Sequence, residues 1–136
     1  MSNIDIKQAV ALRVAFDQIE EAYEYMLSYA AQGRREEVDE GGGESHIRQY
    51  IRKFLAAALQ ISDSFMERTA EKSQAEFIKS FCADAGVVAS IMSLLLSEES
   101  ISSHKIDNVN GMIKIRSYLS DIFFIDQIML PERGEN

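Results

Sequence analysis

The sequence predicts an all-α antiparallel four-helix bundle, and three observations carry that expectation. The one proline is Pro131, so nothing upstream of it removes a backbone donor or clashes with a preceding helical turn. Apolar residues recur at alternating spacings of three and four, the period of a helix face. Four such stretches are separated by one long and two short connections, the pattern of helices that run up and down in turn. The expectation is a single helical domain over 1–136 with helices at about 4–32, 45–70, 73–97 and 102–130.

In the first segment Ala9, Leu12, Phe16, Ile19, Tyr23, Met26 and Ala30 form one seam, while Asp17, Glu20, Glu21 and Glu24 lie off it and face solvent. Gly33 then offers a C-terminal stop. The stretch 33–44 is polar and glycine-rich with almost nothing to bury, and reads as a mobile loop. In the second segment Ile47, Ile51, Phe54, Ala58, Ile61 and Phe65 make the seam, and Arg48, Arg52 and Lys53 cluster near its start. The third opens on Ser73-Gln74-Ala75-Glu76, which fits a capping box. Phe77, Phe81, Ala85, Val88, Met92 and Leu95 supply one of its faces, and Val87, Ile91 and Leu94 a second. A helix apolar on two faces is expected to be buried on most sides, with Gly86 and Ala89 letting a neighbour approach. In the fourth segment Ile106, Val109, Ile113, Leu119, Ile122, Phe123 and Met129 point inward, and Phe124, Ile125 and Ile128 extend the apolar character around the other side. Asn110-Gly111 is a break between two helices, a glycine tolerated within one at about 1 kcal/mol relative to alanine, or, least favoured because its flanks show too little strand alternation, a small hairpin.

Acidic residues number 22 against 14 basic ones, a net charge of −8, which argues against a broad nucleic-acid surface and favours a basic protein partner. No apolar run approaches the roughly 20 residues of a membrane span, and the longest candidate, Ala85 to Leu96, is too short and contains two serines and a glycine, so no membrane is expected as a partner. The N-terminus lacks the basic start and apolar core of a signal peptide, and the single Cys82 fits a reducing compartment. A cytoplasmic protein is therefore expected, with Cys82 a buried and inert thiol.

The chemistry-bearing residues form no recognisable motif. A carboxylate-bridged metal bundle needs Glu-x-x-His pairs on two helices, and neither His46 nor His104 makes one. Aligning Gly111 with the sixth position of a calcium loop places Ile106 and Ser117 where carboxylates are required. Gly41-Gly42-Gly43 is followed by Glu44, not by the lysine of a phosphate loop. Ser97, Ser100, Ser102 and Ser103 adjoin His104, but serine in such a place caps a helix. No catalytic residue, metal site or cofactor is expected. An enzyme with a dispersed site would need a cleft holding His46 or His104 beside a carboxylate.

Two groups remain as candidates. Arg48 and Arg52 lie one turn apart near a helix start and suit an anionic ligand, with Tyr25 and Tyr29 as further lining; the competing reading pairs the arginines with Glu36, Glu37 and Glu40. Val87, Ile91, Leu94, Phe124, Ile125 and Ile128 exceed what four helices can cover and point to a homodimer interface. The leading functional expectation is a non-enzymatic interaction module of adaptor, regulatory, chaperone or immunity type that acts as a homo-oligomer. A small-ligand-binding bundle and an enzyme follow behind it.

Overall fold

A computed structural model describes residues 4–38, 41–66 and 71–132. Five α-helices follow one another: α1 (Ile6–Ala31), α2 (His46–Met66), α3 (Lys72–Leu96), α4 (Ser103–Asn110) and α5 (Ile113–Phe124), and α5 runs into a π-helical turn, Ile125–Met129. The described residues are 79% helical and contain no strand. The predicted all-α class holds, with three long antiparallel helices and two short ones in place of four long ones. Glu40, and the continuation of the second helix from 67 to 70, lie outside the described residues.

Helix α1 starts on a capping box that the sequence reading missed. The Asp5 carboxylate accepts from the Gln8 N–H at 2.8 Å, and the Gln8 side chain accepts from the Asp5 N–H at 3.3 Å. The box expected at Ser73–Glu76 does not form, because α3 begins at Lys72 with Glu71 as its N-cap, two residues before Ser73, and Glu71 makes no side-chain cap. Ser102 does cap α4, accepting from the Lys105 N–H at 3.2 Å.

Helix α2 packs against both α1 and α3 and buries its whole predicted seam, Ile47, Ile51, Phe54, Ala58, Ile61 and Phe65. The fourth position of the bundle is divided, with α4 against α1 and α5 against α3. The division lies at Gly111–Met112, and it resets the helical phase. Ile113, expected inside, is therefore 80% exposed, and Phe123 is exposed as well. Ile115 and Tyr118 take the inward places, fully buried. Tyr118 is the aromatic centre of the core, stacked on Phe81 at 5.2 Å and tilted against Phe54 at 6.3 Å.

The expectation of a third helix buried on most sides is corrected. Phe81, Ala85, Val88 and Met92 are buried, but Val87 and Leu94 are exposed. Gly86 is also exposed, and a Cβ there would meet nothing within 4 Å, so no neighbour makes the expected close approach. Helix α3 is long and apolar enough to cross a membrane by length and composition, with a mean hydropathy of 1.5 over its best window, a property missed when its apolar stretch is taken as Ala85 to Leu96 alone. Only 28% of that window is buried. Its Asp84 is paired with Lys114 of α5 at 3.1 Å.

Two connections tie the last third of the chain to α1. The Ser103 N–H donates to the Arg34 carbonyl at 2.8 Å, and the Arg34 N–H donates back to Ser103 Oγ at 2.8 Å. Ser103 Oγ in turn donates to the Tyr29 carbonyl at 2.6 Å. At the other end, Arg13 Nε binds Asp126 Oδ1 at 2.5 Å and Arg13 Nη2 binds the Asp126 carbonyl at 3.1 Å, fastening the π-helical turn to α1.

Candidate functional site

The polar residues singled out in the sequence converge on the end of the bundle where the α1–α2 and α3–α4 connections meet. Arg48 comes from the first turn of α2 and Glu37 from the connection before it. Arg48 Nε lies 2.8 Å from Glu37 Oε2, and Nη2 lies 2.7 Å from Oε1. The two-point geometry is the strongest that arginine makes with a carboxylate. Arg48 also donates from Nη1 to the Leu96 carbonyl at 2.9 Å and from Nη2 to the Glu98 carbonyl at 2.6 Å. Helix α3 ends at Leu96, so Arg48 places a cation on the negative end of that helix.

Glu37 is equally committed. It accepts from Ser45 Oγ at 2.6 Å and from the Ile101 N–H at 2.8 Å. Burial alone would raise its pKa, but the hydrogen bonds from Arg48, Ser45 and Ile101 outweigh that and hold it below the usual carboxylate range. The connection expected to be mobile is thus anchored at Glu37. Ile101 carries the network to α1, because Tyr29 Oη donates to its carbonyl at 2.6 Å. Burial raises the Tyr29 pKa, with the nearby Glu37 charge adding to it.

Three of the four proposed ligand residues therefore have structural employment. Arg48 is spent on Glu37 and the end of α3, and Tyr29 is buried against Ile101. Tyr25 stacks on Tyr50 of α2 with ring centres 4.3 Å apart. The fourth, Arg52, is largely exposed and pairs with Glu44 at 2.6 Å. A cavity of about 560 Å³ opens beside Arg48, but Glu36, Glu37, Glu44 and Glu99 line it, a poor setting for an anion.

Both histidines are exposed. His104 lines an open cleft of about 550 Å³ with Asp107, Arg34, Arg35, Ser102 and Ser103, yet no hydrogen bond joins His104 to Asp107 among the described residues. Ser103 Oγ is already used in both directions by Arg34 and Tyr29, which removes it as a nucleophile. Among the described residues no group of three or more His, Cys, Asp or Glu is placed to hold a metal ion. Cys82 is half-buried, and burial raises its pKa, away from thiolate reactivity.

The apolar candidates divide. Leu94 is 65% exposed, Ile128 66%, Phe124 48% and Val87 40%, and Ile91 is half-buried. Ile125 does not belong with them: it is fully buried in the protomer, where it continues the inward series Ile115, Tyr118 and Ile122 at helical spacing. Ile91 and Leu94 form one wall of a groove of about 340 Å³, and Val109 and Met112 of the α4 end form the other. Phe124 rests on Phe77 of α3 with ring centres 5.2 Å apart. The sequence reading missed Met112, whose place in the groove depends on the break at Gly111. Comparison with protein-family models, with curated proteins and with solved structures found no match in any of the three.

Proposed function

We propose that this chain is a non-enzymatic protein–protein interaction module that acts as a homo-oligomer, with the groove between α3 and α4 and the neighbouring face of α3 as its contact surface. The observation that carries this reading is Leu94, 65% exposed on the wall of an apolar groove whose rim charges, Glu98 and Lys105, already neutralise each other at 2.6 Å. Exposed large side chains beside an apolar groove are the usual mark of an association surface. Val87, one turn or two from Ile91 and Leu94 on the same helix, prolongs that surface. The charge of −8 supports a basic protein as a further partner.

Sedimentation velocity across micromolar concentrations tests the reading. A dimer is expected at twice the chain mass of 15.3 kDa, with Leu94→Glu returning it to monomer while preserving the circular dichroism of the helices. A monomer at every concentration overturns it. So does a protein that floats with lipid vesicles and loses that property on Leu94→Glu, since the exposed face of α3 would then be serving a membrane.

A further inference from the structure

The seam between α1 and α5 is fastened at both ends and open in the middle. At one end the Asn110 side-chain amide donates to the Met26 carbonyl at 3.2 Å, and at the other Arg13 holds Asp126. Between these fastenings the two helices part around a cleft of about 340 Å³. The parting follows from the divided fourth position, which commits α5 to α3 and only α4 to α1. Ile19 and Ile122 form the base of the cleft, both buried, and Tyr23, Leu119 and the exposed Phe123 rise around them.

The rim of this cleft is acidic on one side. Glu20 and Glu24 line it from α1, one turn apart, both exposed and neither in an ion pair among the described residues. Their neighbour Glu21 is different, since it is paired with Lys53 of α2. Among the described residues no lysine or arginine lines the cleft. An apolar slot between two helices, edged by uncompensated carboxylates, is complementary to a helix that carries apolar side chains on one face and cations beside them.

We infer that the α1–α5 cleft is a docking groove for a basic amphipathic helix, whose apolar side chains enter between Tyr23 and Phe123 and whose lysine or arginine side chains meet Glu20 and Glu24. This rests on the reading of the chain as an interaction module, but it uses a different surface from the α3–α4 groove. A protein that sediments as a monomer and binds the helix refutes only the dimer, and a dimer that ignores the helix refutes only the docking groove.

The test is fluorescence anisotropy at physiological ionic strength with two labelled peptides of about five helical turns. One carries leucine at helical spacing on one face and lysine elsewhere; the other has the same composition in scrambled order. The patterned peptide is expected to bind at least ~10-fold more tightly than the scrambled one. The Glu20→Lys, Glu24→Lys pair should weaken it by a similar ~10-fold. Ser120→Trp, which fills the cleft from an exposed position, should abolish binding, and Leu94→Glu should leave it unchanged. Equal binding of the two peptides, or indifference to Ser120→Trp in a protein that keeps its helical spectrum, overturns the proposal.

Discussion

Arg48 and Glu37 meet through two hydrogen bonds of 2.7 and 2.8 Å, and the same guanidinium holds the Leu96 and Glu98 carbonyls beyond the reach of any residue near it in sequence. One side chain thereby joins the start of α2, the end of α3 and both connections. Both partners have most of their side-chain surface out of solvent, at 16% and 13% exposure. Arg48→Ala should destabilise the fold by about 2–3 kcal/mol, since it orphans a carboxylate and two carbonyls together. Urea unfolding with a double-mutant cycle through Glu37→Gln measures this. A coupling energy near zero would show the pair to be ornamental.

Two carboxyls should give opposite pH signatures. Glu37 has a folded pKa below its unfolded value, so its contribution is complete above about pH 4.3 and is lost as the pH falls through the folded pKa. Glu37→Gln should flatten that acid limb. Asp121 is raised, first by burial and then by the Asp84 charge, so its penalty is present at neutral pH and vanishes below about pH 3.9. Asp121→Asn should raise Tm at pH 7, with the difference closing toward about pH 3. Calorimetric scans across this range decide both, and a Tm difference independent of pH contradicts the assignment.

Tyr118 places at the centre of the core a hydroxyl that has no hydrogen-bond partner among the described residues. Burial drives its pKa strongly upward, with the Cys82 and Asp121 charges adding to the effect. Tyr118→Phe keeps the ring stack with Phe81 and discards the orphaned group, so it should stabilise the protein by up to about 1 kcal/mol. Tyr118→Leu should cost about 3 kcal/mol by opening a cavity. Chemical denaturation separates the two, and a loss of stability in Tyr118→Phe would mean that a buried water serves the hydroxyl.

Gly111 sits at φ −85° and ψ −6°, a conformation open to any residue, and a Cβ there would meet backbone oxygens at an ordinary 3.7 Å. Gly111→Ala should therefore be tolerated, and should stabilise by about 0.4–1 kcal/mol through the unfolded chain. A Tm lower than that of the parent protein would show that the break between α4 and α5 needs glycine.

The periodic residues of α2 were legible because one unbroken helix faces the core over its full length, and the sequence period is then the burial period. The fourth segment defeated the same logic. A single change of phase at Gly111–Met112 moved Ile113 outward and brought Ile115 and Tyr118 inward, and no residue type in that stretch announces the new phase. In α3 the two apolar faces read as burial, but apolar character is also what an uncovered surface carries, and composition does not distinguish them. Of the polar site, the sequence offered the arginine–glutamate pairing as one of two readings. It held no sign of the carbonyl partners at Leu96 and Glu98, because a backbone oxygen looks the same at every position.

The reciprocal bonds between Ser103 and Arg34 have a consequence for biosynthesis. The last two turns of α1 are emitted from the ribosome long before Ser103 and Asn110, which complete their surroundings, so Met26 and Tyr29 wait with one flank bare until α4 has emerged. Closing that circuit requires positions about seventy residues apart to find each other, which places it among the late events of maturation. A nascent chain arrested before α4 should accordingly be the species most in need of a chaperone.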